Sequence, residues 1–249
     1  MSQPAIRLYD RLDSTNSEAR RLAQAGETGP VWIQALEQTA GRGRRGRAWT
    51  GLTGNVFITG LVTLTATPQE AANLSFACAL AVADTADRWV DPVQVAVKWP
   101  NDVLIHGVKT SGILLESWPG PAAGTLQLAL GMGLNVAAAP PAADLERPAT
   151  CLAAHLRAGA ALPSAQEAGA VLAACAMGWI ETWQQSGFAA IRTAWTARAA
   201  GLGRPATARL PSGEITGTLR GLADTGELLL EDTGGTVHRI AAADIFLHG

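Results

Sequence analysis

The chain has 249 residues, long enough for one substantial core with a smaller appended domain. Apolar residues make up 48% of the sequence and charged residues 16%, and the formal net charge is −2. This balance excludes a disordered chain and a generally basic nucleic-acid binder, so any basic site must be local. The sequence lacks both the apolar run of a signal peptide and a stretch of about 18 apolar residues that could span a bilayer, so we expect a cytoplasmic protein without a membrane partner.

The cysteines do not form a recognisable site. Cys78, Cys151 and Cys175 lie far apart, in surroundings rich in Ala and Leu. A zinc site or a redox pair needs close spacing, which this sequence does not offer. We therefore expect buried thiols without a chemical role.

The first predicted element is a helix. Residues 15–18 have the Thr-x-x-Glu spacing of a capping box and precede good helix formers up to Gly26, so a helix should begin here. Residues 31–36 and 55–64 are rich in β-branched and apolar side chains, which predicts two strands. The segment between them, residues 40–54, is rich in glycine and predicts a loop that joins the strands.

The middle of the chain predicts a helix followed by an antiparallel meander. Over residues 70–89, Leu74, Cys78 and Val82 recur every fourth residue, which indicates one buried helix face. The meander, with one face covered by helices, is predicted over residues 95–99, over 103–117 with a turn at 106–107, and over 125–136. Residues 140–148 are rich in Pro and Ala and predict a loop.

The last third of the chain predicts one more helix and a small β domain. Residues 165–185 return to helical spacing through Cys175, Trp179 and Trp183, a stripe that indicates core packing. From about Gly203 onward, short strands alternate with turns that contain Pro and Gly, which predicts a small β-barrel. The elements together predict the α+β fold class.

The most informative segment is residues 41–47, where four arginines and three glycines fill seven positions without an acidic residue. Glycines let a backbone approach a ligand, and arginines match phosphate or carboxylate oxygens in a bidentate way. The pattern predicts an anion site, on a loop that orders when the anion binds. A basic patch for RNA or DNA is the alternative. The position between two apolar strands, and the lack of a second basic cluster, favour one small anionic ligand.

A second group of charged residues lies within residues 97–104 and 108–116. Pro100-Asn101 forces a turn between strands and presents Asp102 at the lip of a pocket. Lys109 stands near the start of the next strand, where an ammonium can meet a transferring phosphoryl or a carboxylate oxygen. Taken singly, such charges are usually solvated surface groups. Their combination with the arginine loop favours a catalytic site.

Five segments together resemble the successive motifs of biotin protein ligases. They are Ser14-Thr15-Asn16, Gln38 to Trp49, Lys98 to Asp102, Lys109 to Glu116, and Gly131 to Val136. They occur in the order of that family, and the resemblance covers essentially the whole chain. It implies a catalytic domain over residues 1–200, with a mixed, mainly antiparallel sheet flanked by helices, as in lipoate ligases. It also implies an SH3-like C-terminal domain over residues 201–249.

The resemblance also implies roles for particular residues. Biotin would be bound by Ser14, Thr15, Asn16, Gln38, Arg42, Gly43, Arg44, Lys109 and Gly112. The nucleotide would be bound by Arg42, Arg44, Arg47, Trp49 and Asn135, with Trp49 stacked on adenine. The catalytic residues would be Lys109, Arg44 and Asp102. Lys109 would stabilise charge as biotin attacks ATP, and Asp102 would orient or deprotonate the incoming lysine. Asn55 and Trp99 are interpreted as structural.

The implied reaction consumes biotin and ATP, with Mg²⁺ neutralising the triphosphate, and modifies the biotin carboxyl-carrier domain of a carboxylase. Only about a dozen residues precede Ser14, where some family members carry a helix-turn-helix, so we expect no DNA binding. Both a monomer and a homodimer fit the sequence. Two other functions stay open: a ligase for lipoate or octanoate, and a nucleic-acid-binding module.

Overall fold

The structure, a computed structural model, describes residues 4–141 and 148–248. These residues contain two β-sheets and four α-helices, and the last helix is interrupted at Gly187, whose φ of 66° and ψ of −170° are not helical. The elements of the first part are β1 (Ile6–Leu12), α1 (Thr15–Gln24), β2 (Val31–Gln38), β3 (Val56–Thr65), α2 (Pro68–Ala72), α3 (Leu74–Ala86), β4 (Val95–Lys98), β5 (Asp102–Ile105), β6 (Val108–Pro119) and β7 (Thr125–Leu134). The second part contains α4 (Ala165–Ala197), β8 (Pro205–Leu210), β9 (Gly213–Leu222), β10 (Leu228–Glu231), β11 (Val237–Ile240) and β12 (Asp244–Leu247). Of the loop predicted over residues 140–148, residues 142–147 lie outside the described residues.

The larger sheet has seven strands in the order β1-β2-β3-β7-β6-β5-β4. Its strands β1 and β2 are parallel, and every other neighbouring pair is antiparallel. The central pair is β3 with β7, which stay in register over ten residues of each strand. The predicted mixed, mainly antiparallel sheet and the β4–β7 meander are both confirmed.

Helices cover both faces of this sheet. Because side chains alternate between faces along each strand, neighbouring residues of one strand pack against different helices. On β2, Trp32 joins the main core with α3 and α4, whereas Val31 and Ile33 form a second cluster with Ala19 of α1. The sequence of α3 is apolar on all sides, and eleven of its thirteen residues are buried, as expected of a helix between a sheet and another helix. Helix α1 therefore packs on the face of the sheet opposite α3 and α4, and Asn16 in its first turn contacts Thr59 of β3 and Leu114 of β6.

Two helix predictions need correction. Helix α1 begins at Thr15 as predicted, but Ser14 is the N-cap and no capping box forms, because Thr15 bonds Gln38 instead. The single helix predicted over residues 70–89 is two helices, α2 and α3, which meet at Asn73. The capping box lies at the start of α2, where Thr67 and Glu70 cap each other.

The C-terminal sheet is antiparallel, with the order β11-β10-β9-β8-β12. The Trp99 indole N–H donates to the Gly226 carbonyl at 3.2 Å, so this buried side chain ties the two sheets together. Asn55 is also fully buried, and its side-chain oxygen accepts the backbone N–H groups of residues 136–138. Both residues thus make structural contacts, and the interpretation that they have no further role stays a prediction. None of the described helices combines the length and apolarity needed to cross a membrane.

The expected burial of the cysteines is confirmed for two of the three. All three are free; Cys78 and Cys151 are buried, and Cys175 is half-buried. Burial raises the pKa of the Cys78 thiol to about 12. Because the thiolate is the nucleophile, Cys78 should resist iodoacetamide at pH 8 in the native protein and react fully after unfolding in guanidinium. Peptide mass spectrometry checks this, and fast native labelling of Cys78 would contradict the burial.

Candidate active site

A cavity of about 470 Å³ opens where the N-terminus of α1, the arginine loop, strands β5–β7 and strand β12 converge. This volume is typical of small-ligand sites. Every site residue predicted from the sequence lines it, as do both lysines of the sequence, Lys98 and Lys109. Residues from both sheets thus meet around one space.

The deep end of the cavity is a buried polar cluster at the start of α1. Ser14, Thr15 and Asn16 are all less than 5% exposed. The Gln38 side-chain oxygen accepts the Thr15 backbone N–H at 2.8 Å and the Thr15 hydroxyl at 3.1 Å. The fully buried Thr59 hydroxyl lies 2.8 Å from Thr15 Oγ1 and 2.7 Å from Asn16 Oδ1. The cluster is therefore held in place by the protein itself, which is what a site for a small polar group requires.

Asn16 is fixed from three sides. Its Oδ1 accepts from Thr59, and its Nδ2 donates to the Leu114 carbonyl at 3.2 Å and to Glu116 Oε2 at 2.8 Å. Gly131 gives it room, because a Cβ at that position would stand 2.2 Å from Asn16 Oδ1. Sequence reasoning assigned no role to Thr59 or Glu116.

The arginine loop is a short hairpin above the cavity. The Gly43 N–H donates to the Arg47 carbonyl at 2.7 Å, and the Trp49 N–H donates to the Gly41 carbonyl at 2.9 Å. Its tip turns through Arg45, in the left-handed region at φ 55°. The first two and the last two arginines of the hairpin therefore point to different sides of the cavity.

The first two arginines turn toward the seven-stranded sheet. Arg42 donates to Ser17 Oγ at 2.8 Å and pairs with the Glu116 carboxylate at 3.2 Å. Arg44 is half-buried and donates to Asn101 Oδ1 at 3.3 Å. Burial lowers the pKa of the Arg44 guanidinium, and repulsion by Arg45 lowers it further. An arginine nevertheless stays protonated near neutral pH, so Arg44 places a poorly solvated positive charge over the cavity.

The other two arginines turn toward the C-terminal sheet. Arg45 lies 3.1 Å and Arg47 3.5 Å from the same oxygen, Asp244 Oδ2, at the start of β12. Asp244 is separated from the loop by about 200 residues of sequence, and no pattern in the sequence pointed to it. The loop is thus held from both sides, by Glu116 and by Asp244.

The indole of Trp49 lies on a floor of glycines. A Cβ at Gly112 would stand 2.9 Å from this ring, and one at Gly133 would stand 2.5 Å from it. The space above Gly112, which the sequence analysis gave to biotin, is therefore partly filled by Trp49 in this structure. The Trp49 Nε1–H is buried and has no hydrogen-bond partner among the described residues. The Lys109 ammonium lies 5.7 Å from the ring centroid.

Asp102 and Lys109 form an ion pair across strands β5 and β6, with 2.7 Å between Oδ1 and Nζ. The register between these strands shifts after Val103, because Thr110 is an extra residue in β6. A bulge of this kind re-aims the neighbouring side chains. Lys109 therefore reaches the same space as Asp102, which spacing in the sequence could not show.

Asn135 lines the cavity at its other end but is engaged by the protein. It is buried, its Nδ2 donates to the Thr150 carbonyl at 3.0 Å, and its Oδ1 accepts from Asn55 at 3.4 Å. The Thr150 N–H in turn donates to the Lys109 carbonyl at 2.7 Å. Asn135 thus holds the wall next to Lys109, and its contact with a nucleotide stays a prediction.

Comparison with known proteins agrees with this geometry. The profile of the Biotin/lipoate A/B protein ligase family matches residues 8–135, and that of the biotin protein ligase C-terminal domain matches residues 201–248. The biotin–[acetyl-CoA-carboxylase] ligase of Paracoccus denitrificans is 42% identical over 96% of this chain and 99% of its own length. The bifunctional ligase/repressor BirA of Bacillus subtilis is 32% identical over 96% of this chain and 73% of its own.

Solved structures share the fold. The biotin protein ligase of Aquifex aeolicus, in complex with biotin and ATP, matches with a TM-score of 0.77 and 23% identity, covering 98% of each chain. The Leishmania major enzyme, in complex with biotinyl-5-AMP, matches with a TM-score of 0.66 and 25% identity, covering 96% of this chain and 99% of that one. The chain belongs to the biotin/lipoate A/B protein ligase family and, within it, to the biotin protein ligases. The predicted α+β fold with an SH3-like C-terminal domain is confirmed with it.

Proposed function

We propose that this enzyme converts biotin and ATP into biotinoyl-5′-AMP and pyrophosphate, and then transfers biotin to a specific lysine of a biotin carboxyl-carrier domain. The observation that carries the proposal is the single cavity in which a buried polar cluster, an arginine loop and the Lys109–Asp102 pair converge. The polar cluster suits the neutral ureido ring of biotin. The arginine loop and Lys109 suit the carboxylate of biotin and the triphosphate of ATP.

Biotin would enter with its ureido ring first. Ser14, Thr15 and Gln38 would pair with the ureido groups, because a buried urea needs all of its donors and acceptors satisfied. Asn16 has both side-chain hydrogens engaged by the protein, so it would act as an acceptor through Oδ1. The carboxylate of biotin would then lie toward Lys109 and the arginine loop.

In the first step, a biotin carboxylate oxygen attacks the α-phosphorus, and the bond to the leaving pyrophosphate breaks. Lys109 and Arg44 would stabilise the negative charge that spreads over the α-phosphate oxygens. Arg42, Gly43 and Arg47 would close over the phosphates, and adenine would stack on the face of Trp49 opposite the glycine floor. Mg²⁺ would arrive as part of the substrate, MgATP, because this ion is usually held by substrate phosphates with only one or two carboxylates.

In the second step, the carrier lysine amine attacks the acyl carbon and AMP leaves. Asp102 would draw the carrier ammonium into the cavity and accept or orient its proton once Lys109 has turned to the phosphate. Because a mixed anhydride hydrolyses readily, the arginine loop would also exclude water until the carrier binds.

The remaining features complete the proposal. The catalytic domain would comprise residues 1–200 and the C-terminal domain residues 201–249, in a cytoplasmic enzyme that does not bind DNA. The carrier would be the biotin domain of an acetyl-CoA carboxylase, the substrate that the name of the Paracoccus relative prints.

Exchange of radiolabelled pyrophosphate into ATP tests the proposed function, with biotin, lipoate and octanoate as parallel acids. Exchange with biotin alone would establish adenylate formation and substrate choice. Exchange only with the other acids would make this a lipoate-type ligase, and no exchange with any acid would favour the nucleic-acid-binding module.

Asp244 provides a test of the role of the C-terminal domain. Replacing it with Asn removes two partly exposed ion pairs, each worth about 0.2–1 kcal/mol, so we expect KM for ATP to rise about three- to tenfold. KM for biotin should stay within about twofold, since Asp244 pairs with Arg45 and Arg47, neither of which is a proposed biotin contact. The initial rates of pyrophosphate exchange measure both constants, and equal rises in the two would contradict a nucleotide-side role.

A further inference from the structure

We infer that Glu116 is a positioning residue that couples the biotin end of the cavity to the arginine loop. It does so by holding the Asn16 amide with one oxygen and the Arg42 guanidinium with both. The inference rests on the proposed function and extends it to a residue that makes no contact with the reacting atoms.

The contacts place Glu116 between two parts of the site. Its Oε2 accepts the Asn16 side-chain N–H at 2.8 Å, and Arg42 lies 3.2 Å from Oε2 and 3.3 Å from Oε1. Asn16 is buried in the deep polar cluster, whereas Arg42 is exposed at the first turn of the loop. Glu116 itself is half-buried, with 38% of its side chain exposed. One carboxylate thus contacts both the buried polar cluster and the arginine loop.

The charge of Glu116 decides how the Asn16 amide is oriented. An amide has one donor end and one acceptor end, and the acceptor end cannot face a carboxylate and a carbonyl without repulsion. Glu116 and the Leu114 carbonyl therefore take the Nδ2 hydrogens, while Thr59 takes one lone pair of Oδ1. Oδ1 keeps a second lone pair, and with it the capacity to accept a ureido N–H.

The same charge also holds Arg42. Four arginines in seven residues repel one another, so the loop needs carboxylates outside itself to stay closed. Asp244 pairs with Arg45 and Arg47. At the first turn of the loop, Arg42 is held by Glu116 and Ser17. Without Glu116, Arg42 would keep its hydrogen bond to Ser17 but lose its ion pair, so the biotin end of the loop would be held more weakly.

Two replacements separate the two contacts. Glu116→Gln can still accept the Asn16 N–H but loses the ion pair with Arg42, whereas Glu116→Ala loses both. Biotin binding is measured by calorimetry without ATP, and loop closure is measured as the release rate of preformed biotinoyl-5′-AMP. Glu37→Gln is the matched control, because it removes an exposed Arg–Glu pair, with Arg11, outside the cavity.

With Glu116→Gln, we expect biotin affinity within about twofold of wild type and release of the adenylate about fivefold faster, the upper range for a partly exposed ion pair. With Glu116→Ala, biotin affinity should fall about tenfold as well, because a charge-assisted hydrogen bond is lost. In a chain that already carries Arg42→Gln, adding Glu116→Gln should change release less than about twofold, because its partner is gone.

Three results would overturn the inference. The first is adenylate release by Glu116→Gln equal to that of Glu37→Gln, and the second is an undiminished effect in the Arg42→Gln background. The third is a loss of thermal stability in both Glu116 variants with unchanged biotin affinity and release, which would make Glu116 merely structural. Wild-type protein that binds no biotin would refute the proposed function and this inference together. Normal wild-type binding with unaffected variants would refute the inference alone.

Discussion

Lys109→Ala should slow biotin-dependent pyrophosphate exchange by about 10²- to 10³-fold, the usual effect of removing one donor from a site where charge develops. The Lys109 ammonium is the cation paired with Asp102 inside the cavity, at 2.7 Å, and it lies beside the glycine floor. Its removal takes away the charge proposed to meet the α-phosphate and leaves Asp102 without that partner. Single-turnover measurements with biotin and ATP would report the loss as a slower formation of adenylate.

Asp102→Asn is the matched comparison for Lys109. It removes the other half of the ion pair, but its proposed role begins only when the carrier lysine arrives. Exchange should therefore fall less than about tenfold, while transfer from preformed adenylate to the carrier slows by at least about 10²-fold. If Lys109→Ala slowed only the transfer step, the assignment of Lys109 to the first step would be wrong.

Arg44→Gly should release biotinoyl-5′-AMP about 10- to 100-fold faster, because one or more charge-assisted hydrogen bonds to the adenylate are lost. Arg44 is the half-buried arginine of the loop, and Asn101 directs it over the cavity. The released adenylate acylates amines without selection, so a bystander protein such as serum albumin should become biotinylated. Streptavidin blots measure this labelling, and a filter assay measures the release rate.

Arg204→Gly serves as the control for Arg44. Arg204 is exposed and lies outside the cavity lining, so its loss removes the same charge from the chain without touching the site. Adenylate release and bystander labelling should match those of wild type. Equal leakage from both variants would show that total charge, not the position of Arg44, retains the adenylate.

The predictable parts of the site are those formed by residues that are adjacent in the sequence. The positive charge of the arginine loop is evident from its composition, and the turn at Pro100-Asn101 places Asp102 at the end of a strand. The central helices and the antiparallel meander follow from apolar spacing. These features depend on local propensity and on the alternation of side chains, both of which a sequence displays.

The missing parts depend on contacts between distant residues. Thr59 resembles any polar residue in an apolar strand until it meets Thr15 and Asn16. Asp244 joins the site only because β12 lies beside the loop. The capping box predicted at Thr15 failed for the same reason, since Gln38 competes for the Thr15 hydroxyl and N–H. Local rules gave the helix its starting point but not the partners of its first side chain.

The two lysines that line the cavity, Lys98 and Lys109, are the only lysines in the sequence; the other basic side chains are arginines and histidines. A guanidinium stays protonated in a protein and is a poor nucleophile, whereas an amine is the group that an acyl adenylate acylates. The exterior of this enzyme therefore offers its own reactive product almost nothing to attack. An adenylate that escapes would spare the molecule that made it and modify the neighbouring proteins instead.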